Sequence, residues 1–109
     1  MNASGQSVGG NVPHTNSMQL FQNFPNPFNP VASAFTTISY NIPNLTKKSS
    51  VGIFNIKGQL VNELTIAPES NSVVWYGKDK KGNYVHNGIY LYRISTENKT
   101  ISKKMILMR

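Results

Sequence analysis

The side chains able to do acid–base, nucleophilic or metal chemistry are few, and they lie far apart. Four carboxylates occur, Glu63, Glu69, Asp79 and Glu97, each isolated in sequence and so offering no pair for general acid–base work. His14 sits in a Gly, Ser and Asn-rich stretch and His86 in a turn, neither with a carboxylate or cysteine at metal-ligand spacing. No cysteine occurs in the 109 residues, which removes a thiol nucleophile, a disulfide framework and a cysteine zinc site together. A G-x-S-x-G elbow and a phosphate loop are also missing. This pattern is that of a non-enzyme, with no catalytic residue, no metal site and no cofactor.

Charge offers the next candidate chemistry. Eleven basic and four acidic residues give a net charge of +7. None of the fifteen precedes Lys47, and basic pairs follow at Lys47-Lys48, Lys80-Lys81 and Lys103-Lys104. A basic balance suggests nucleic acid, but no recognition helix or RNA-binding signature accompanies it. Lysines at turns and edges also solubilise a β domain and discourage edge-to-edge pairing, and that reading is the one adopted. No apolar run approaches the ~20 residues that span a bilayer.

The elements that would position these side chains are strands. Residues 1–17 read as a flexible linker, and 18–109 as one domain with a single core. In "AFTTISYNI", 34–42, Ile38, Tyr40 and Ile42 alternate with Thr37, Ser39 and Asn41, the period of a half-buried strand. "SVGIFNIKGQLVNELTI", 50–66, reads as a hairpin around a type I turn, Asn55 first and Gly58 fourth. Further strands are expected at 71–77, 89–95 and 100–108, with a short one within "MQLFQ" and a turn-rich excursion over 78–88. Helical periodicity is absent, so an all-β antiparallel sandwich of six or seven strands follows. Trp75 is expected as a core anchor, and Tyr90 and Tyr92, two apart, as core residues with hydroxyls bonded at the rim. Gly88 is expected to hold unusual backbone geometry at a strand start.

"NFPNPFNP", 23–30, is the most unusual stretch. Proline fixes φ and pushes the preceding residue towards extended geometry, so Pro25, Pro27 and Pro30 set a bent path. Phe24, Pro25, Asn26, Pro27 and Phe28 read as a clasp, with Phe24 and Phe28 as pegs covering one end of the core. In the last strand, Met105 and Leu107 face one side and Ile106 and Met108 the other, both sides able to bury.

Taken together, "LFQNFPNPFNP", "TTISYNIP", "VGIFNIKGQLVNEL", "GNYVHNGIYLYRI" and "KKMILMR" resemble the type A C-terminal sorting domain of the type IX secretion system, over residues 20–109. A looser resemblance is to the immunoglobulin-like domain of the flagellar hook-capping protein. The resemblance implies an immunoglobulin-like sandwich that addresses a fused cargo protein, in Bacteroidetes-type bacteria, from the periplasm to the cell surface. The implied partners are the type IX translocon and a sortase-like surface protease that cuts the domain off, and the domain itself is expected to be a monomer. Carried over residue by residue, the family's G-x-Y block falls on Gly88 and Tyr90. Its basic-then-apolar terminal strand falls on Lys103, Lys104, Met105, Ile106 and Leu107, the candidate recognition residues. One departure is Tyr76, which stands between Trp75 and Gly77 where the family has Asp or Asn before Gly. With Asp79 the only carboxylate near that turn, a bound calcium ion lacks the several oxygen ligands it needs.

Two other functions fit the same composition. A carbohydrate-binding accessory module would need Tyr76, Tyr84, Tyr90 or Tyr92 standing together on an open sheet face. A structural module of an extracellular assembly would self-associate through its edge strands.

Overall fold

The computed structural model describes residues 18–43, 49–96 and 99–109; the expected linker over 1–17 and the Lys47-Lys48 pair lie outside the described residues. Seven strands form in chain order: β1 (Gln19–Leu20), β2 (Thr36–Asn41), β3 (Ser49–Asn55), β4 (Leu60–Ile66), β5 (Ser72–Trp75), β6 (Gly88–Ser95) and β7 (Thr100–Leu107). They make two antiparallel sheets, β1-β2-β5 and β4-β3-β6-β7, packed as an immunoglobulin-like sandwich.

Alternation decides which side chains enter the core. β2 turns Thr36, Ile38 and Tyr40 inwards and leaves Asn41 in solvent. Facing them, β3 supplies Val51 and Ile53, β6 supplies Tyr90, Tyr92 and Ile94, and β7 supplies Met105 and Leu107. Trp75 closes the core at 1% exposure, its ring 5.6 Å from Tyr90 and 6.2 Å from Phe28 between centroids. Its indole N–H donates to the Lys78 carbonyl at 2.9 Å, so the polar edge of the ring is satisfied while its body is buried.

The β3–β4 turn forms as the sequence predicts. The Gly58 N–H reaches the Asn55 carbonyl, and Asn55 Oδ1 accepts from the main-chain N–H of Lys57 and Gln59. Gly58 takes φ 83°, the left-handed residue this loop requires, and the β3–β4 register is irregular between Ile53 and Phe54. The turn-rich excursion over 78–88 carries one isolated bridge, Lys78 to Tyr84.

Two expectations are corrected. Only one face of β7 is buried, Met105 and Leu107, because that face meets the core between the sheets, whereas Ile106 and Met108 on the outer face stay 38% and 55% exposed. Phe24 is not a peg in the core: it is 78% exposed, while Phe28 is fully buried. The reason is the face each shares with its cross-strand partner. Phe24 bridges Thr37, on the outward side of β2, and Phe28 bridges the buried Leu107.

Candidate functional site

The clasp and β7 form one structure. From Gln22 to Phe28 the chain runs along the outer edge of β7. The Phe28 N–H donates to the Ile106 carbonyl at 2.7 Å, and the Met108 N–H donates to the Phe28 carbonyl at 2.9 Å. Between them the Ile106 N–H donates to Asn26 Oδ1 at 2.9 Å, and the Gln22 amide donates to the Lys104 carbonyl, also at 2.9 Å. Main-chain groups that an edge strand would offer to an incoming strand are therefore occupied from Lys104 to Met108.

A buried polar network holds the clasp in this position. Asn23 and Thr36, 2% and 0% exposed, are the buried polar side chains of the described residues. Asn23 Nδ2 donates to Thr36 Oγ1 at 2.9 Å and to the Pro25 carbonyl at 3.1 Å, and the Thr36 hydroxyl donates to the same carbonyl at 2.9 Å. The Tyr92 hydroxyl donates to the Phe21 carbonyl at 2.6 Å and accepts the Asn23 N–H at 2.9 Å. One β6 side chain thus ties the four-stranded sheet to the segment that crosses its edge. Burial raises the Tyr92 pKa above its usual value, the Asn23 N–H opposing the effect; burial raises that of Tyr90 too, against the nearby Arg109 charge. Gly77 completes the seat. Its φ is 76°, and a Cβ there would come within 3.2 Å of both Phe28 and Pro30. Glycine is what lets the clasp lie this close.

The sequence-predicted recognition residues divide. β6 and β7 bring them together in register, Gly88 opposite Leu107, Tyr90 opposite Met105, and Lys104 opposite Leu91. Tyr90, Met105 and Leu107 are buried, so no receptor touches them in the folded domain. Lys104 and Ile106 point outwards on the same face of β7, while Lys103 points to the other, so the two lysines do not act as one charged pair. Gly88 takes φ 156° with open space where a side chain would stand.

The aromatic residues named for a sugar platform do not stand together. Tyr90 and Tyr92 are in the core, their hydroxyls bonded to main-chain carbonyls of His86 and Phe21. Tyr76 and Tyr84 are exposed, Tyr76 after β5 and Tyr84 in the 78–88 excursion, where Lys78 Nζ lies 4.9 Å from its ring centre. The Asp79 carboxylate is engaged in its own turn, Oδ1 accepting the N–H of Lys81 and of Asn83. Asn23, Thr36 and Gly77 were not foreseen. Asn23 does stand beside the proline run, but its partners are brought by distant strands.

Comparison with known proteins finds solved counterparts of the fold, among them two from Porphyromonas gingivalis. One is PorZ, described as an essential bacterial surface component of the type IX secretion system; a segment matches 81% of this chain at 22% identity, with a TM-score of 0.62. The other is PorU, described as dimeric and latent, matching 94% of this chain at 28% identity, with a TM-score of 0.60. The chain spans only about a tenth of either protein, 11% and 10%. No curated protein matches it in sequence. The FlgD Ig-like domain model matches residues 31–100, more than half of the chain, in agreement with the hook-cap resemblance read from the residues. The chain belongs to the FlgD Ig-like domain family.

Proposed function

We propose that this chain is a non-enzymatic C-terminal secretion signal, which directs a fused cargo protein through the type IX apparatus to the bacterial surface. The route runs through the periplasm, and a sortase-like protease cuts the domain from its cargo at the surface. The observation that carries this reading is the closed edge. "NFPNPFNP" and "SKKMILMR", at opposite ends of the domain, are joined main chain to main chain through Phe28, Ile106 and Met108. That edge exists only once β7 has been made and paired. An apparatus that reads it would therefore accept a completed, folded domain and pass over a truncated one.

Similarity to segments of PorU and of the surface component PorZ supports placement in the same export system. The absence of paired carboxylates, cysteine and metal-ligand spacing supports a binding role rather than catalysis.

The test fuses residues 1–109 to a fluorescent reporter bearing a signal peptide, in a bacterium with a working type IX system and in a strain lacking it. Reporter at the surface of the competent strain alone is the expected result. Reporter held in the periplasm of both strains would overturn the reading.

A further inference from the structure

The three-stranded sheet turns an aromatic, charge-free face to solvent. Phe24 is held there by paired hydrogen bonds with Thr37, its N–H to the Thr37 carbonyl at 2.9 Å and the return bond at 2.8 Å. Thr37 in turn pairs with Val74 on β5. Phe21 lies beside Ser39, to whose carbonyl its N–H donates, and Ser39 pairs with Ser72. At the far end Phe35 and Tyr76 meet edge to face, centroids 5.9 Å apart and planes at 72°. All four aromatic side chains are exposed: 45% for Phe21, 78% for Phe24, 41% for Phe35 and 51% for Tyr76.

No Lys, Arg, Asp or Glu occurs in residues 18–43 or 70–77, the whole of this sheet and its flanks, in a chain of net charge +7. The outer face of the other sheet differs. It carries Glu63, Arg93 and Lys104, with the Arg93 guanidinium 4.2 Å from the Phe54 ring centre. An uncharged apolar face is matched by an uncharged apolar partner, because a charge buried against it would go unpaired.

Geometry chooses among occupants. At roughly 200 Å² per aromatic side chain, the four leave about 400 Å² open, the size of patch that on a monomer is often functional. Two copies meeting face to face would press each protruding Phe24 onto paired strands rather than into a cavity. A sugar ring stacks on coplanar ring faces, and the edge-to-face Phe35–Tyr76 pair presents none. A protein pocket is different, since it encloses a protruding side chain on all sides. Phe24 protrudes furthest, on a main chain locked to β2, so it loses little freedom on insertion.

We infer that this face, with Phe24 as its anchor, is a docking surface for an uncharged apolar pocket of a protein. The inference rests on the sorting reading above and places that pocket in the type IX apparatus. It locates recognition on the sheet opposite the terminal lysines.

The test uses the reporter fusion of the full 109 residues, comparing Phe24→Ser and Phe35→Ser/Tyr76→Ser with Ile56→Ser, a turn residue 73% exposed. Thermal melts establish that each variant is folded, and light scattering gives the oligomeric state. Surface reporter is expected to fall at least about tenfold, a loss of 1.4 kcal/mol or more, in both face variants, and to stay at the wild-type level in Ile56→Ser. Wild-type export of folded Phe24→Ser would overturn the docking surface and leave the sorting reading standing. Wild-type reporter trapped in both strains would overturn both. A wild-type dimer that Phe24→Ser disperses would overturn the inference in favour of a second copy as occupant.

Discussion

The Tyr92 hydroxyl ties the start of the clasp to β6. It donates to the Phe21 carbonyl and accepts the Asn23 N–H, so Tyr92→Phe strips partners from two main-chain groups while keeping the ring. Leaving such groups unpaired costs about 1–3 kcal/mol, and a melt of the variant against wild type should register that loss. The pH dependence follows from the same burial. Folding raises the pKa of Tyr92 and of Tyr90, because the ionised phenol is excluded from the core. Their contribution is fully present below the unfolded tyrosine pKa near 10, and it is lost as pH rises through the folded values. The melting temperature should therefore fall progressively above about pH 10, and the decline should be shallower in Tyr92→Phe. An alkaline limb of equal steepness in both proteins would show that Tyr92 does not set it.

At the scale of the element, the clasp contrasts two phenylalanines four residues apart. Phe28 is fully buried against Trp75 and Gly77, and truncating such a side chain to alanine costs about 3–5 kcal/mol. Phe24 is mostly in solvent, where substitutions stay within about 0.5 kcal/mol. Denaturant unfolding of Phe28→Ala and Phe24→Ala should separate them by that margin, and equal losses would return Phe24 to the core. The strands themselves were legible in the sequence, because alternation at Ile38 and Tyr40, and at Tyr90 and Tyr92, is a local signal. So was the Asn55–Gly58 turn. The direction of Phe24 was not, since it depends on pairing with Thr37 rather than on the proline run. Nor was the closed edge legible, for Asn26 and Ile106 meet across 80 residues of sequence and no local pattern encodes that register. Asn23 and Thr36 were missed for the same reason: a buried asparagine reads as a loop residue until its partners are in place.

The whole molecule has two unlike sides, an uncharged three-stranded sheet and a charged four-stranded one, joined through the clasp and β7. This arrangement limits what removal of β7 can reveal. Met105 and Leu107 are buried, and the clasp bonds to Ile106 and Met108, so deleting 102–109 uncovers the core and frees the clasp together. Two fully buried side chains account for about 3–6 kcal/mol of transfer free energy, a large part of the 5–15 kcal/mol that holds a domain folded. The truncated chain should lose its cooperative melt and fail in export for that reason alone. Lys103→Ala/Lys104→Ala removes two charges from opposite faces of β7 without touching either buried side chain. It should melt within a few degrees of wild type, since surface substitutions cost little. Export of the double variant then reads the lysines by themselves. Surface reporter at the wild-type level would assign recognition away from them, in keeping with the aromatic face. Loss of export with an unchanged melt would instead make the terminal lysines part of the contact.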